Sequence, residues 1–219
     1  MYHFAVFDLD GTLAYTLQDL ADAVNYALTN HGFLPYPTDD YRTMVGNGIV
    51  NLLKTASKQN DERILSVLKQ DFERYYSVHY LDTTTIYKDG DVMLSHLQNK
   101  GVRIAVLSNK TDKFVGNILR CLYPEIRFDA MWGKKEQFPT KPNPSSLNAL
   151  LTELDADKTK TVYIGDSNID VLTAKNGGID FIGCSWGFRG KQELIDAGVS
   201  PEKIVDNNAE LEKMILGEP

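Results

Sequence analysis

Two aspartates one residue apart follow the first apolar run of the chain. The run Phe4 to Phe7 leads directly into the segment Asp8-Leu9-Asp10-Gly11-Thr12. With Asp10 just past the end of a strand, both carboxylates can approach a substrate from one crevice. An ionised Asp8 can attack phosphorus and form an aspartyl phosphate, while a protonated Asp10 can donate to the leaving oxygen and then deprotonate the attacking water. Gly11 allows a tight turn, in which the exposed amides of Gly11 and Thr12 can bind phosphoryl oxygens.

Polar segments follow three further apolar runs in the same way. They are Ser108-Asn109-Lys110 after Val102 to Leu107, Gly165-Asp166-Ser167 with Asp170 after Thr161 to Ile164, and Lys141-Pro142-Asn143-Pro144 beyond Phe128 to Trp132. Ligands of an open parallel sheet bind outside the carboxyl ends of its strands. We therefore expect Asp8, Asp10, Asp166 and Asp170 to share one site with Lys141.

The expected cluster of carboxylates requires a cation. Several carboxylates at one place repel one another unless a divalent ion neutralises them. Mg²⁺ fits better than a calcium cage, because the carboxylates are few and leave room for waters and a phosphate oxygen. The sequence has no cluster of Cys or His residues that supports zinc. In such a site the Ser108 hydroxyl and the Lys141 charge can stabilise the charge that spreads over a transferring phosphoryl group.

The apolar runs are short and almost continuously hydrophobic, which predicts strands buried on both faces, as in a parallel sheet. Further runs of this kind are Phe181 to Cys184 and, more weakly, Ile204 to Val205. Helical patterns alternate with the runs, for example before Gly101 and after Thr111 and Pro144. This alternation predicts an α/β fold with a Rossmann-like, doubly wound parallel sheet.

The stretch between the first two runs carries helical patterns only. Thr16 fits the N-cap of a helix that begins at Leu17, and Gly32 is placed to stop that helix. Further helices fit Ile49 to Ala56 and Ile64 to Tyr76. Such an all-helical block has a candidate core of its own and cannot belong to the layers of the sheet.

The position of this block predicts how the chain is divided. A length of 219 residues fits one large domain, or one domain with a small insertion. We predict an inserted all-helical cap domain at residues 15–82 and a catalytic core at residues 1–14 and 83–219. The hinges between them are expected near Ala14 and near Thr83 to Thr85.

Composition narrows the possible partners. The chain has 23 Lys and Arg against 30 Asp and Glu, so its formal net charge of −7 repels nucleic acid and anionic lipid. The first residues run into Asp8 without a basic leader, and no apolar run is long enough to cross a bilayer. Cys121 and Cys184 have no metal or disulfide spacing and favour a reducing compartment. We expect a cytoplasmic protein, monomeric or homodimeric, whose partner is a small phosphorylated metabolite rather than nucleic acid or a membrane.

The four polar segments resemble, in order, the four motifs of the haloacid dehalogenase-like hydrolase superfamily. They are Asp8-Leu9-Asp10-Gly11-Thr12-Leu13, Ser108-Asn109-Lys110, Lys141-Pro142-Asn143-Pro144 and Gly165-Asp166-Ser167-Asn168-Ile169-Asp170, and they span nearly the whole chain. The resemblance implies that Asp8 is the nucleophile and Asp10 the general acid and base. It also implies that Ser108 binds phosphate and that Lys141 stabilises charge. The implied Mg²⁺ ligands are the Asp8 side chain, the Asp10 backbone carbonyl and Asp166, with Asp170 behind them.

Other segments indicate a branch of the superfamily. Its dehalogenases lack an aspartate at the position of Asp10, which argues against dehalogenation. The helical insertion, Val45-Gly46-Asn47-Gly48 and Trp186-Gly187-Phe188-Arg189 resemble the phosphoglycolate phosphatase branch, which implies hydrolysis of a small phosphate monoester such as 2-phosphoglycolate. The alternatives are a β-phosphoglucomutase-like sugar-phosphate mutase and a pyrophosphatase, while the complete catalytic set argues against a non-catalytic binding protein. Tyr15 stands at a hinge position that is commonly acidic in the family, which implies altered substrate fit or cap contacts rather than lost chemistry.

Five positions near the expected site each have two interpretations. Asn109 can begin a helix or bind phosphate, and Lys110 can be a surface charge or a phosphate ligand. Gly46 and Asn47 can form a plain loop between cap helices, or their amides can reach the substrate when the cap closes. Arg189 can form a surface ion pair or hold the substrate.

Overall fold

The computed structural model describes residues 1–218, which form eight strands and nine α-helices. The strands are β1 (Phe4–Phe7), β2 (Ala14–Tyr15), β3 (Thr85–Ile86), β4 (Arg103–Thr111), β5 (Ala130–Lys134), β6 (Thr161–Gly165), β7 (Asp180–Cys184) and β8 (Ile204–Val205). The helices are α1 (Leu17–Asn30), α2 (Ile49–Ser57), α3 (Glu62–His79), α4 (Gly90–Asn99), α5 (Asp112–Leu122), α6 (Ser145–Glu153), α7 (Asn168–Gly177), α8 (Gly190–Asp196) and α9 (Asn208–Leu216). Within residues 1–218, no helix combines the length and the apolar character needed to cross a membrane.

Six strands form one parallel sheet in the order β5-β4-β1-β6-β7-β8. The chain builds this sheet outwards from β1, first through β4 to β5 and then, on the other side, through β6 and β7 to β8. The direction of building reverses beside β1, so the carboxyl ends of β1, β4 and β6 border the crevice where ligands bind in such sheets. The predicted Rossmann-like, doubly wound parallel sheet is confirmed.

The central strand β1 is buried on both faces, as its continuous apolar sequence predicts. Ala5 and Phe7 belong to a hydrophobic cluster that includes residues of α4, α5 and α9. Phe4 and Val6 belong to a second cluster with residues of α6, α7 and α8. Helices therefore cover both faces and hold the end of β1, which leads into Asp8, in a fixed position.

The helices α1 to α3 are inserted between β2 and β3. These two short strands pair antiparallel, with Ala14 opposite Ile86 and Tyr15 opposite Thr85, so the two crossings into the insertion lie side by side. The sequence pattern around Ala14–Tyr15 and Thr85–Ile86 did not predict these two strands. The buried residues of the insertion form one continuous hydrophobic cluster with one face of the sheet, rather than a separate core. Tyr76 of α3, for example, makes an edge contact with Phe114 of α5 at 4.9 Å between ring centroids.

A buried carboxylate joins the start of α1 to the second crossing. Asp19 is 2% exposed. Its oxygens accept hydrogen bonds from the Thr83 amide at 3.0 Å and hydroxyl at 2.5 Å, and from the Thr84 amide at 3.0 Å and hydroxyl at 2.7 Å. Hydrogen bonds to an ionised acceptor are stronger than neutral ones. Asp19 therefore fixes the angle at which α1 leaves the β2–β3 ribbon.

The strand β4 is longer than the sequence indicates. It continues to Thr111, and its pairing with β5 shifts register between Leu107 and Thr111. Ser108-Asn109-Lys110 therefore lies within an irregular end of the strand instead of after it. Such irregularities change the direction in which side chains point, and here all three side chains are buried at the crevice.

Candidate active site

Lys141 lies at the centre of a buried network of charged groups. Its Nζ is 3.0 Å from Asp8 Oδ1 and donates a hydrogen bond to Asp170 Oδ1 at 2.8 Å. It also donates to the Tyr163 hydroxyl at 2.8 Å and to the Leu107 carbonyl at 3.1 Å. Burial acts to lower the pKa of Lys141, but Asp170 and Asp8 outweigh this effect and raise the pKa well above its ordinary value. The nucleophile candidate Asp8 therefore has a cationic side chain 3.0 Å away.

Asp170 positions the Lys141 ammonium. Its Oδ2 accepts hydrogen bonds from the Ser167 amide at 3.2 Å and hydroxyl at 2.6 Å, which closes a capping box at the start of α7. A Cβ on Gly165 would lie 2.4 Å from Asp170 Cβ, so only glycine allows this close approach. With Oδ1 on Lys141, both carboxylate oxygens are held by protein groups.

Asp166 is enclosed by two separate segments of the chain. The Phe188 amide donates to its Oδ2 at 2.8 Å, and the Thr12 hydroxyl donates to its Oδ1 at 3.3 Å. A Cβ on Gly187 would lie 2.0 Å from Asp166 Cβ, and one on Gly11, whose φ is +86°, would lie 2.4 Å from Oδ2. Both glycines are therefore required by the space around the Asp166 carboxylate.

These supports are not apparent in the sequence. The segment Trp186-Gly187-Phe188-Arg189 stands out there only by resemblance, which implies no role for Gly187 or Phe188. The indole Nε1 of Trp186 also donates to the Thr12 carbonyl at 3.2 Å. The segment after β7 thus braces both Asp166 and the turn that follows Asp8, and the small residue at Gly187 is the one sequence signal of that contact.

The carboxylates fit a divalent cation. Oxygens of Asp8, Asp166 and Asp170 lie within 4.8 Å of one another, and all three residues are buried. Burial raises the pKa of Asp8 to about 6 against the attraction of Lys141, and burial followed by the charges of Asp170 and Asp8 raises that of Asp166 well above its ordinary value. The buried Asp8 Oδ1 also accepts no hydrogen bond of good geometry. Three carboxylates with one lysine leave a local charge that a hard, oxygen-bound cation would neutralise.

The carboxylate of Asp10 points away from this cluster. Its Oδ1 accepts hydrogen bonds from the Thr16 hydroxyl at 2.6 Å and from Lys110 Nζ at 3.0 Å. Thr16 does precede α1, but its side chain makes no capping hydrogen bond, so the expected capping role of that side chain is wrong. The Asp10 side chain is therefore not part of the carboxylate cluster at the ion site. The backbone carbonyl is the group of Asp10 that remains as a candidate ion ligand.

The Asn109 side chain connects the insertion to the loop of Lys141. Its Nδ2 donates to the Gly46 carbonyl at 2.9 Å and to the Lys141 carbonyl at 3.1 Å, while its Oδ1 accepts from the Lys141 amide at 2.8 Å. The amide is therefore fully engaged with backbone groups. Gly46 has a φ of +122° and lines the same cavity as Asn109.

Arg189 connects the same loop to the other side of the crevice. Its guanidinium pairs with Glu193 at 3.1 Å and donates to the carbonyls of Thr43 at 3.1 Å and Val45 at 2.9 Å. The structure does not bring Arg189 to the cavity beside Asp8, and Asn47 is exposed and also lies outside that cavity. Of the sequence candidates in the cap, Gly46 alone reaches the cavity.

A cavity of about 50 Å³ lies between the insertion and the sheet edge. Its polar floor consists of Asp8, Asp10, Ser108, Asn109 and Lys110. The side towards the insertion is mostly apolar and is lined by Leu20, Val45, Gly46, Gly48, Ile49, Leu52, Phe72 and Tyr76, together with Thr111 and Phe114 of the core. The nucleophile and acid candidates thus face one small space that the insertion covers.

Known proteins share both the sequence pattern and the architecture. The family model described as haloacid dehalogenase-like hydrolase matches residues 5–184. A phosphoglycolate phosphatase of Psychrobacter arcticus is 31% identical over 96% of this chain and 94% of its own, and one of Pasteurella multocida is 29% identical over 94% of each. A crystal structure from Lactobacillus delbrueckii subsp. bulgaricus, described as a candidate phosphoglycolate phosphatase, has a TM-score of 0.89 at 32% identity and covers 99% of both chains. The chain belongs to the haloacid dehalogenase-like hydrolase family.

Proposed function

We propose that the protein is a Mg²⁺-dependent phosphatase that hydrolyses a small phosphate monoester through an aspartyl phosphate on Asp8. The observation that carries this proposal is the position of Asp8. Its carboxylate lies between the Lys141 ammonium and a cavity that Asp10 also lines. The family membership supports it. Fold alone does not establish function, so the site is the stronger support.

In the first step an Asp8 carboxylate oxygen attacks phosphorus. A new bond forms between Asp8 and phosphorus, and the bond from phosphorus to the ester oxygen breaks. Asp10 gives its proton to that departing oxygen, so the product leaves as a neutral alcohol. The Lys110 ammonium, 3.0 Å from Asp10 Oδ1, stabilises the carboxylate that remains.

In the second step Asp10 takes a proton from a water molecule as the water attacks phosphorus. The bond from Asp8 to phosphorus breaks, inorganic phosphate leaves, and Asp10 again carries the proton that it needs for the next turnover. Lys141 and the Ser108 hydroxyl stabilise the negative charge on the phosphoryl oxygens in both steps. Ser108 is 4% exposed and lines the cavity, which keeps its hydroxyl close to the reacting group.

The ion site supports the choice of Mg²⁺. The Asp8 side chain, the Asp10 backbone carbonyl and Asp166 would hold the ion, with Asp170 behind them on Lys141. When bound, Mg²⁺ supplies positive charge that neutralises the phosphoryl group and draws it to the nucleophile. The set contains oxygen donors only, which suits a hard cation.

We also propose that residues 15–82 act as a cap over the catalytic core of residues 1–14 and 83–219. The side-by-side crossings of β2 and β3 support a hinge at these boundaries. A cap that covers the cavity would exclude water from Asp8 during the first step. The contacts of Asn109 with Gly46 and of Arg189 with Val45 support a closed arrangement.

The names of the relatives support 2-phosphoglycolate as the first substrate to examine. The mutase and pyrophosphatase alternatives share the nucleophile, and product analysis separates them. The net charge of −7 supports a free metabolite as the partner rather than nucleic acid or a membrane. Two cysteines without a disulfide support a cytoplasmic protein, acting as a monomer or a homodimer.

The test is release of inorganic phosphate from 2-phosphoglycolate with and without Mg²⁺. We expect Asp8→Asn to lower the rate by about a thousandfold or more, because an amide is a poor nucleophile. Asp39→Asn is the matched control, since the Asp39 side chain is 83% exposed and does not line the cavity beside Asp8. Equal rates for wild type and Asp8→Asn would rule out the covalent mechanism. Turnover of a sugar bisphosphate without phosphate release would indicate the mutase, and a preference for pyrophosphate would indicate the pyrophosphatase.

A further inference from the structure

A loop of the insertion, residues 43–48 directly before α2, is held to the core from two sides; we call it the insertion loop. On one side, the Arg189 guanidinium donates to the Thr43 carbonyl at 3.1 Å and to the Val45 carbonyl at 2.9 Å. The same guanidinium pairs with Glu193 at 3.1 Å, and the Arg189 side chain is 13% exposed. Hydrogen bonds from a charged donor are stronger than neutral ones. Arg189 therefore fastens the insertion loop to the segment at the start of α8.

Asn109 holds the other side of the insertion loop and, at the same time, the backbone of Lys141. Its Nδ2 donates to the Gly46 carbonyl at 2.9 Å and to the Lys141 carbonyl at 3.1 Å. Its Oδ1 accepts from the Lys141 amide at 2.8 Å. Asn109 is buried, so water competes little for these bonds. One side-chain amide thus joins the insertion loop to the residue whose ammonium lies beside Asp8.

The backbone of Lys141 depends on this amide for its position. Residues 135–144 belong to no helix or strand, so no regular backbone pairing holds them. Instead, the Lys141 amide and carbonyl both bond to Asn109, as two residues of paired antiparallel strands bond to each other. From this backbone position the Lys141 ammonium comes within 3.0 Å of Asp8 Oδ1. A misplacement of about 1 Å in a group that acts on the substrate can cost about a hundredfold in rate.

We infer that Asn109 is a positioning residue that couples the placement of the insertion loop to the placement of Lys141. The inference rests on the proposed function, in which Lys141 stabilises the phosphoryl charge, and it adds a route by which the insertion acts on that charge. With the loop in place, the Gly46 carbonyl fixes the Asn109 amide, and this amide fixes the Lys141 backbone. If the loop moves away, one hydrogen of Nδ2 loses its acceptor, and the side chain is free to rotate away from Lys141. Arg189 acts on the same chain of contacts because it holds the loop.

The first experiment is a double-mutant cycle of Arg189→Met and Asn109→Ala, in which kcat is measured from phosphate release at saturating 2-phosphoglycolate and Mg²⁺. We expect Asn109→Ala to lower kcat by about tenfold or more, because Lys141 loses both backbone bonds. Arg189→Met should lower kcat about fivefold when Asn109 is present, but by less than about twofold in the Asn109→Ala background. A fivefold loss in both backgrounds would show that Arg189 acts independently of Asn109 and would overturn the coupling.

Hydrogen exchange followed by mass spectrometry tests the coupling without catalysis. Arg189→Met should speed the exchange of backbone amides in residues 43–48 and, through Asn109, in residues 135–141, by about threefold or more in each segment. The contacts of Arg189 given above lie outside the second segment. Faster exchange in the first segment alone would contradict the coupling. This measurement decides even if Asn109→Ala does not fold.

Arg103→Met is the matched control. The Arg103 guanidinium also pairs with a carboxylate, that of Asp129 at 3.0 Å, and donates to a backbone carbonyl, that of Leu154 at 2.7 Å. Arg103 begins β4, whereas Asn109 lies near the opposite end of that strand. We expect Arg103→Met to keep kcat and the exchange rates of both segments within about twofold of wild type.

The outcomes separate the coupling from the proposed function. If wild type releases no phosphate, the proposed function fails, and with it the catalytic role of the coupling. If wild type releases phosphate but Arg189→Met acts alike in both backgrounds, or leaves exchange in residues 135–141 unchanged, the coupling is wrong although the phosphatase stands. A loss of kcat that depends on Asn109, together with faster exchange in both segments, supports the coupling.

Discussion

Two buried lysines of the site are held in different ways. Lys141 contacts two carboxylates, a phenol and a backbone carbonyl, all of which belong to the core around the sheet. Lys110 contacts the carboxylate of Asp10 and lies over the ring of Tyr76, which belongs to the inserted helices. The first lysine is surrounded by fixed protein partners, whereas the second faces the cavity.

The difference separates the reaction from the choice of substrate. Groups that act on the phosphoryl part are anchored by the ends of parallel strands, whose geometry does not depend on the substrate. The side of the cavity towards the insertion is lined mostly by apolar side chains of the insertion, with Tyr76 as the polar exception among them. Families of this architecture can therefore keep one chemistry and change the substrate by changing the inserted residues.

Replacing each lysine by methionine gives the largest expected contrast. Lys141→Met leaves Asp8 and Asp170 buried without their cation, so the free energy of unfolding should fall by about 3–5 kcal/mol. Phosphate release should fall by about a hundred- to a thousandfold, since a stabilising charge is lost. Lys110→Met leaves only Asp10 unpaired, and the expected loss of stability is about 1–2 kcal/mol. Urea unfolding in EDTA, followed by circular dichroism, measures the free energy of unfolding of both variants. Equal losses of stability would show that the two lysines are held alike.

Gly187→Ala should disturb the carboxylates near Lys141 that are proposed to hold the metal ion. An added Cβ would lie 2.0 Å from Asp166 Cβ and 2.3 Å from its Oδ2, so Asp166 must shift. Changes in groups that orient a metal ligand commonly weaken metal affinity by about 10- to 100-fold. We expect the Mg²⁺ concentration for half-maximal activity to increase by at least about tenfold.

Gly116→Ala is the control for this change, because a Cβ at that position meets only the flexible end of Arg120, at 3.1 Å. Its Mg²⁺ dependence should match wild type. A wild-type Mg²⁺ dependence in Gly187→Ala would show that Asp166 does not hold the ion.

Sequence patterns predict the fold and the grouping of motifs for a simple physical reason. Parallel strands place their carboxyl ends at one edge, so Asp8 and Asp166 had to lie near one another once the strands were recognised. Burial on both faces marks such strands in the sequence, as at Phe4–Phe7. The predicted meeting of these two carboxylates therefore follows from recognising the buried strands.

The remaining contacts depend on the paths of loops, which no periodicity encodes. The Phe188 amide reaches Asp166 because the segment after β7 turns back over β6. Asp19 meets Thr83 and Thr84 across the whole insertion. Thr16 has the sequence of a helix cap, yet its hydroxyl bonds to Asp10 instead. In each case a side-chain hydrogen bond joins groups that local sequence reasoning treats separately.

Thr16→Val should have the smallest effect of these changes. It tests a contact at the boundary between the inserted helices and the core. Thr16 lies at the start of the insertion, and its hydroxyl donates to Asp10 Oδ1 at 2.6 Å. Without this bond Asp10 is less well oriented towards the leaving oxygen, so we expect kcat to fall about fivefold, as for one hydrogen bond. Thr161→Val is the control, because it also removes a hydrogen bond of a buried threonine, to the Asp157 carbonyl, at the opposite end of β6 from Asp166. Both variants should lose about 1 kcal/mol of stability, but only Thr16→Val should lower kcat; if both lower kcat alike, the bond from Thr16 to Asp10 has a purely structural role.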